Sequence, residues 1–466
     1  MITPRAHQVD FHHFHNRTGP YSHMPMMMGS LAWHGMGLGK TAEGLWEARE
    51  ILHQLKEQRI PGVPMKFIVV CPKSAISTWK KECYAVTPDI FTNMIIYPYS
   101  QLHNAIKSMR QWDVRAIIWD EVHTLKDPTT QRIGVVADFY RELGKHNGRF
   151  HRGRIIDLTG TAMPNGAHEL YTQWAMCTAP GVNEAADQLI NLESYEKWKK
   201  CFAEKKAKRF KKQKGKPWES EEVRHSWGGV AQPVLLQQLL SPFVHFKRVS
   251  DCIDLPEKTE IPIDLGLHDD RLLKDANLEE PEAYMALLAK LSEAKTPHML
   301  DWVETFIAGT DEQLIVFSMY RHPIEELAAK WPKLVRMITG KETNEVRAQN
   351  EKDFQDGKYK ILGMTFKAGS EALNFQNCGF TLYHGYPWHD DALKQAIART
   401  YRQGQNKKTM HYFLTSGEND MRILDIILKK AEATGVVHQL LLANQGIYVP
   451  QTIIQHRQEI SIDEWV

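Results

Sequence analysis

The sequence predicts an α/β fold in which two tandem lobes are each built on a parallel sheet. Two regions share one pattern, in which a run of four to six apolar residues is followed by turn residues and a helical stretch. Such runs between helices are typical of buried parallel strands. Two regions of this kind indicate two stacked lobes of the nucleotide-binding type. The runs are 30–33, 67–70, 116–119 and 154–158 in the first region and 314–317, 333–338, 359–364 and 380–384 in the second.

The residues between the two regions have a different pattern, with many charges and a helical periodicity. We predict helical insertions there, and we expect residues 244–248 and 259–265 to be strands that return to the lobes. The predicted domains are lobe 1 at 1–180, the insertions at 181–296, lobe 2 at 297–440 and a C-terminal tail at 441–466.

The composition, 42% hydrophobic and 24% charged, is that of an ordinary globular protein. No apolar run approaches the roughly 18 residues that span a bilayer, and the N-terminus has no signal-peptide pattern. The six cysteines stand singly, which argues against a zinc site or a disulfide framework. We therefore expect a cytoplasmic, reducing location and no membrane partner.

A basic run stands out against the low formal net charge of +2. Between Lys197 and Lys216 the chain carries eleven Lys or Arg residues and one acid, Glu204, with aromatic residues among them. This run is either a contact for nucleic acid or the solvated face of a helical insertion.

A phosphate-binding loop follows the first apolar run. The segment His34–Thr41, HGMGLGKT, connects a predicted strand to a helical stretch. Gly37 and Gly39 let backbone N–H groups curl round phosphate oxygens at a helix N-terminus. Lys40 would reach the β- and γ-phosphates of ATP, and the Thr41 hydroxyl would hold Mg²⁺. The alternative is a glycine-rich turn without a nucleotide.

Two adjacent carboxylates end the third apolar run. Asp120 can hold the Mg²⁺ ion, and Glu121 can polarise the water that attacks the γ-phosphate. Adjacent carboxylates are common by chance, but these follow a buried strand downstream of a phosphate loop. The pattern therefore predicts ATP hydrolysis.

Two arginines in the second half supply a further part of this chemistry. Arg399 and Arg402 are three residues apart, so we predict that they share one face of a helix. Guanidinium groups can stabilise the charge that builds on a transferred phosphoryl group. The alternative is a solvated helix face with ion pairs.

The ordered set of motifs resembles the core of the superfamily-2 helicases, and within it the Swi/Snf-type ATP-dependent DNA translocases. The resemblance covers nearly the whole chain, and a compact bacterial or viral-type member would have this pattern. PWHDDALKQAIARTYRQGQNKK is the most specific stretch. The other stretches that carry the resemblance are HGMGLGKT, FIVVCPKSAISTWKKE, DEVHTLKD, LTGTAMPNGAHELY, VHFKRVSDCIDLPEKTEIPIDL, LIVFSMY, TGKETNEVRAQNEKDFQDG and TFKAGSEALNF.

The resemblance implies RecA-like lobes with the ATP cleft between them, and it implies roles for further residues. Gln8 would read the adenine, and Arg399 and Arg402 would be the arginine fingers, with Gln395 beside them. The partner would be double-stranded DNA, in a bacterial cell or a virus-infected host, with a separate targeting protein chain as a further candidate. The residues that would line the DNA track are Lys73, Ser74, Tyr99, Ser100, Ser318, Lys367 and Trp388.

The sequence departs from the family pattern at three places. His34 and Gly35 replace an acidic pair, Ala398 replaces a residue that is often glycine or aspartate, and His389 and Asp390 replace Asn-Pro. None of these changes removes a group that hydrolysis needs, so we expect an active ATPase.

Three other functions fit the same motifs. The chain could separate the strands of DNA or RNA, although no wedge hairpin is recognisable in the sequence. It could be a non-enzymatic scaffold that uses an ATP-bound clamp, which the intact Lys40, Glu121 and Arg402 argue against. It could also be the motor subunit of a larger restriction, repair or transcription assembly.

Overall fold

The computed structural model describes residues 3–58, 60–146, 150, 153–210, 222–267, 281–369, 373–387, 390–417, 420 and 434–441, without the side chains of 206–225, 281–285, 287, 344, 390 and 391. The chain forms two compact units, which divide between Cys252 and Ile253. The first unit consists of residues 1–252 together with 432–466, and the second of residues 253–431. Each unit contains a six-stranded parallel sheet, so the predicted α/β fold class is confirmed.

The sheet of the first unit has the strand order β3-β2-β4-β5-β1-β8, and every neighbouring pair is parallel. The predicted runs form four of these strands, and all six residues of β1 are buried. Apolar residues on both faces of β1 suit a sheet that is covered by helices on both sides. The strands are β1 (Gly29–His34), β2 (Met65–Cys71), β3 (Met94–Pro98), β4 (Asp113–Asp120), β5 (Ile155–Thr159) and β8 (Val244–Lys247).

Helices pack on the first sheet at close range. In the helix that follows β1, a Cβ on Gly44 would lie 3.1 Å from Leu158 and 3.3 Å from Ile118, so a glycine lets the helix approach the sheet. The helices of this unit are α1 (Ala6–His15), α2 (Lys40–Gln54), α3 (Ile76–Val86), α4 (Leu102–Ser108), α5 (Gln131–His146), α6 (Tyr171–Thr178), α7 (Val182–Leu189), α8 (Leu192–Phe202) and α9 (Pro233–Leu240). Residues 434–441 are also helical.

The insertion at 181–296 is not purely helical, which corrects the sequence-based prediction. Besides helices it contains an antiparallel hairpin of β6 (Glu204–Phe210) and β7 (Glu222–Gly228). The basic run 197–216 therefore begins in α8 and continues into β6, and its last residues, from 211 on, lie outside the described residues. Charge density alone does not distinguish a solvated helix from a solvated hairpin, because both expose one face.

The sheet of the second unit has the order β11-β12-β10-β13-β14-β9 and is also parallel throughout. Its strands are β9 (Lys258–Asp264), β10 (Leu314–Ser318), β11 (Val335–Ile338), β12 (Ile361–Thr365), β13 (Phe380–Tyr383) and β14 (Thr409–Thr415). Its helices are α10 (Pro281–Gly309), α11 (His322–Lys330), α12 (Asn344–Gln355), α13 (Phe366–Gly369) and α14 (Asp390–Thr400).

The two predicted returning strands are confirmed, since β8 joins the first sheet and β9 joins the second. Sequence reasoning missed β3 and β14. Half-exposed residues make up most of β3, and polar residues alternate with apolar ones in β14, so neither reads as a buried run. Among the described residues, no helix is long and apolar enough to cross a membrane.

Candidate functional site

The phosphate loop lies where β1 ends and α2 begins. Gly37 and Gly39 have φ values of 87° and 82°, in the left-handed region that favours glycine. Gly39 is the N-cap of α2, so the loop turns its backbone towards the helix N-terminus. The predicted strand–loop–helix arrangement is therefore present, and Lys40 and Thr41 are the first two residues of α2.

Lys40 and Gln8 both contact the backbone of this loop. The Lys40 ammonium donates to the carbonyl oxygens of His34 at 3.0 Å and Gly35 at 3.4 Å. Gln8, in α1, donates from Nε2 to the carbonyl oxygen of Gly39 at 3.2 Å. The structure thus brings Gln8, which is about thirty residues away in the sequence, against the loop.

A cavity of about 220 Å³ lies between α1 and α2, next to Gln8. Gln8, His12 and Trp46 are among the residues that line it. Three glutamates also line the cavity, and the Gln8 side-chain oxygen accepts from the backbone N–H of Arg5 at 2.8 Å.

Asp120 and Glu121 lie at the end of β4, at the same carboxyl edge of the sheet as the phosphate loop. The carboxylate of Asp120 accepts a hydrogen bond from the indole N–H of Trp79 at 2.8 Å. Burial, and next the neighbouring Glu121 charge, raise the pKa of Asp120 to about 6, although Trp79 and Lys40 act in the opposite direction. Two neighbouring carboxyl groups that repel each other are stabilised by a cation. Carboxylate and hydroxyl oxygens suit Mg²⁺, so Asp120 and Thr41 fit this ion.

Glu121 has a strained backbone that the sequence does not reveal. Its φ is 52°, in the left-handed region, which costs an L-residue about 1 kcal/mol or more. This conformation turns the chain sharply between β4 and the next turn. The Glu121 carboxylate lies 3.2 Å from His123 Nδ1, and that nitrogen is 2.9 Å from the Thr159 hydroxyl. His123 and Thr159 therefore link the ends of β4 and β5 beside the predicted general base.

The arginines lie at the end of α14 in the second unit, but not on one helix face. The helix ends at Thr400, so Arg402 lies in the bend beyond it. The prediction of a shared helix face is corrected on this point. Arg399 donates to the carbonyl oxygen of Leu373 at 3.0 Å, and Arg402 donates to the side chain of Asn374.

Both guanidinium groups thus lie against the same segment of the second unit. Gln395 is half-buried on α14, one turn before Arg399. The structure therefore keeps the three predicted residues close together in spite of the earlier helix end.

The residues predicted to line the DNA track fall into two groups. Tyr99 and Ser318 are buried, and their hydroxyl groups are engaged within the protein. Tyr99 donates to the backbone carbonyl of Asp120 at 2.8 Å. The Ser318 hydroxyl accepts from the backbone N–H of Tyr320 at 3.2 Å. These contacts give both residues a structural role at the strand ends.

Four of the remaining predicted DNA contacts are more exposed and follow the carboxyl ends of strands. Lys73 and Ser74 follow β2, Ser100 follows β3, and Lys367 lies in α13 after β12. Lys73, Ser100 and Lys367 are exposed, and Ser74 is half-buried. Trp388 lies outside the described residues.

Sequence reasoning assigned no role to a buried polar cluster next to the phosphate loop. It consists of Glu43, His34, His245, Asp10 and Lys247. Its members come from α2, β1, β8 and α1, so only the folded chain brings them together. The replacement of an acidic residue by His34 was the one signal in the sequence.

This chain is similar to a helicase domain model and to proteins named as helicases and remodelling ATPases. A model of the helicase conserved C-terminal domain matches residues 298–404. The chain is 23% identical over 439 residues to an uncharacterized ATP-dependent helicase, YqhH, of Bacillus subtilis, with 85% of this chain and 73% of that protein covered. It is 22% identical over 462 residues to the putative ATP-dependent helicase/translocase YwqA of the same organism, with 85% and 45% covered.

Similarity extends to a eukaryotic remodelling enzyme. The ISWI chromatin-remodeling complex ATPase ISW1 of Saccharomyces cerevisiae is 21% identical over 480 residues, with 87% of this chain and 38% of that protein covered. The chain thus spans less than half the length of two of these three relatives. The solved Sulfolobus solfataricus SWI2/SNF2 ATPase core in complex with double-stranded DNA aligns over 96% of both chains at 16% identity, with a TM-score of 0.37.

The relatives and the helicase domain agree with the motif set. The resemblance to Swi/Snf-type members of helicase superfamily 2 is confirmed, and so is the prediction of a helicase-type ATPase.

Proposed function

We propose that this chain, a Swi/Snf-type ATPase of helicase superfamily 2, uses ATP hydrolysis to move along double-stranded DNA and to remodel DNA or protein–DNA complexes. The observation that carries the proposal is the arrangement of Gln8, Lys40 and the Asp120–Glu121 pair at one edge of the first sheet. The name of YwqA, a putative helicase/translocase, supports the choice of a translocase.

The residues of the first unit have distinct tasks in the proposed reaction. Lys40 exchanges its carbonyl partners at His34 and Gly35 for phosphate oxygens, and the loop N–H groups bind the same phosphates. Glu121 accepts a proton from the attacking water and orients it for in-line attack. Thr41 and Asp120 would hold Mg²⁺, which neutralises charge on the β- and γ-phosphates when it is bound.

The arginines of the second unit are proposed to stabilise the transition state. Arg399 and Arg402 would donate to the oxygens of the transferred phosphoryl group, where negative charge builds up. Their described hydrogen bonds include one to a backbone carbonyl and one to an amide side chain. A phosphate oxygen is a stronger acceptor for a guanidinium group than either of these two.

DNA binding is proposed to use the carboxyl strand ends. Lys73 and Ser100 in the first unit and Lys367 in the second present polar groups that suit phosphate oxygens. Contacts to phosphates carry no sequence information, so they suit a motor that has to pass every sequence. The proposed location is the DNA-containing compartment of a bacterial cell or an infected host, and a targeting protein chain is a further proposed partner.

The test is the steady-state ATPase rate without nucleic acid, with duplex DNA, with single-stranded DNA and with RNA. Glu121→Gln serves as the inactive control. We expect duplex DNA to stimulate the wild-type rate at least tenfold and the Glu121→Gln rate not at all, and we expect displacement of a triplex-forming strand. Stimulation by single strands or RNA alone would instead indicate strand separation, and a lack of hydrolysis under all conditions would overturn the proposal.

A further inference from the structure

The buried polar cluster beside the phosphate loop forms one continuous chain of contacts. Glu43 Oε2 lies 3.0 Å from His34 Nδ1. His34 Nε2 lies 2.8 Å from His245 Nδ1, and His245 Nε2 lies 3.2 Å from Asp10 Oδ2. The ammonium group of Lys247 is 2.5 Å from the same Asp10 oxygen. The chain therefore runs from α2 through the ends of β1 and β8 to α1.

The proton positions along this chain follow from its end at Asp10. Burial raises the pKa of Asp10, but hydrogen bonds and charges from His245 and Lys247 lower it by a larger amount. The carboxyl group of Asp10 is therefore ionised and can only accept hydrogen bonds. His245 Nε2 therefore carries a proton and donates a hydrogen bond to Asp10. Burial lowers the pKa of His245 to about 4, so this imidazole is neutral and its Nδ1 accepts.

The tautomer of His34 follows from that of His245. Because His245 Nδ1 accepts, His34 donates from Nε2. Burial holds the pKa of His34 well below its usual value, so its Nδ1 has a lone pair that faces Glu43. The Glu43 carboxyl oxygen lies 3.0 Å from this nitrogen and ends the chain of contacts on the α2 side.

Aromatic side chains from α1 enclose the two imidazoles. The ring of Phe11 lies 5.7 Å from each of His34 and His245, and that of Phe14 lies 5.2 Å from His245. Neither histidine is exposed to solvent. In such a place an imidazole that loses its partner bears the full cost of an unsatisfied polar group.

The cluster is joined directly to the groups that hold the phosphate loop. The carbonyl oxygen of His34 accepts from the Lys40 ammonium at 3.0 Å. The next residue, Gly35, donates its backbone N–H to the carbonyl oxygen of Lys247 at 2.9 Å. A Cβ on Gly35 would lie 2.7 Å from Val249, so the loop starts in close contact with the chain that follows β8.

We propose that His34, His245 and Asp10 are positioning residues that hold the start of the phosphate loop in the geometry that binds ATP. They do not contact the nucleotide themselves. They act through the backbone of His34 and Gly35, where the phosphate loop begins and where Gly35 is tied to the backbone of Lys247. This proposal rests on the proposed placement of ATP in the loop, and it assigns the support of that loop to residues of α1 and β8.

The test compares two substitutions of His245. His245→Leu removes the acceptor for His34, whereas Asn in His245→Asn offers a side-chain oxygen near the position of Nδ1. We expect His245→Leu to raise the KM for ATP about tenfold, which corresponds to ~1.4 kcal/mol, with a smaller change in kcat. His245→Asn should restore KM to within about threefold of the wild type.

A matched control separates positioning from general stability. Asp157, on β5, is also a buried carboxyl group of the first unit, and it accepts a hydrogen bond from Cys177, away from the loop. Asp157→Leu should lower the melting temperature and leave the KM for ATP unchanged. An equal rise in KM for Asp157→Leu and His245→Leu would overturn the proposal, and so would an unchanged KM in His245→Leu.

A variant nearer the surface keeps the test decisive if His245→Leu does not fold. The side chain of Asp10 is 30% exposed, so Asp10→Ala leaves the packed core intact. It removes the acceptor that orients His245, and we expect it to raise the KM for ATP, whereas an unchanged KM would overturn the proposal. Lys40→Ala tests the ATP site itself. If Lys40→Ala retains hydrolysis, the site assignment fails; if it is inactive while Asp10→Ala and His245→Leu have normal KM, only the positioning proposal fails.

Discussion

Some residues of the proposed ATP site have positions that a sequence motif predicts, whereas others have positions that depend on contacts in the folded chain. Gly37, Gly39 and Lys40 have their places because the loop needs left-handed glycines and a cation near the helix N-terminus. The strained φ of Glu121 and the shared contact of His123 with Thr159 depend on how two strand ends meet. No pattern of residue types predicts these contacts.

Asp157 illustrates how a single buried residue makes stability depend on pH. Its side chain is fully buried in β5, where Cys177 donates to it at 3.3 Å. Burial raises the pKa of Asp157 to about 8, so the carboxyl group is neutral at pH 7 in the folded protein. An unfolded chain with a pKa near 3.9 releases this proton at neutral pH, and this release favours unfolding.

We therefore expect the stability that Asp157 contributes to be fully present below about pH 4 and to be lost as the pH rises to about 8. Relative to Asp157→Asn, the wild type should lose up to about 1.4 kcal/mol of unfolding free energy per pH unit in this window and none above it. Urea unfolding at pH 5, 6.5, 8 and 9, followed by tryptophan fluorescence, measures this difference. Parallel pH profiles for the two proteins would show that Asp157 is ionised in the folded state.

The position of Arg402 depends on where helix α14 ends, at Thr400. Gln405 is buried, and its side-chain amide donates to the carbonyl oxygens of Cys378 at 3.0 Å and Thr400 at 3.1 Å. Gly404 has a φ of 89°, which turns the chain away from the helix axis. A spacing of three residues predicts a shared helix face only while the helix continues, and here a glycine and a capping amide end it.

We expect Gln405→Ala to lower kcat for ATP more than it changes the KM. The loss of the amide leaves two buried carbonyl groups without this donor and loosens the bend that carries Arg402. The melting temperature should fall by a few degrees, as for a loss of about 1 kcal/mol. The control is Gln403→Ala, because Gln403 is an exposed residue of the same bend. A normal kcat in Gln405→Ala would mean that the position of Arg402 does not depend on this cap.

For the whole molecule, the proposed DNA binding has to come from local charge, because the formal net charge is only +2. Both sheets are parallel, so the carboxyl ends of all strands in a unit lie at one edge of its sheet. The exposed Lys73 and Lys367 lie at these edges in their respective units. Ligands of open α/β sheets bind at this edge.

We expect Lys73→Ala and Lys367→Ala each to weaken duplex binding and to reduce the slope of log K against log salt concentration by about 1. The loss of affinity should be the same for unrelated DNA sequences, because phosphate contacts do not read bases. Fluorescence anisotropy at several salt concentrations measures both quantities. Lys330→Ala is the control. Lys330 is the last residue of α11 and precedes β11, so it lies near the amino end of a strand and not at the carboxyl edge of the sheet. An equal change of slope in Lys330→Ala would mean that the lysines act only through overall charge.

The order of motifs along the chain was enough to predict the α/β fold, the phosphate loop, the carboxylate pair and the returning strands β8 and β9. Apolar runs mark buried strands, and loops that bind phosphate depend on glycines at fixed spacing, so local sequence carries this information. The insertion hairpin, the end of α14 and the burial of Tyr99 and Ser318 depended on contacts between distant segments. The Glu43–His34–His245–Asp10 cluster shows the reason most clearly: its members are up to 235 residues apart, and their proton positions follow from the burial that only folding creates.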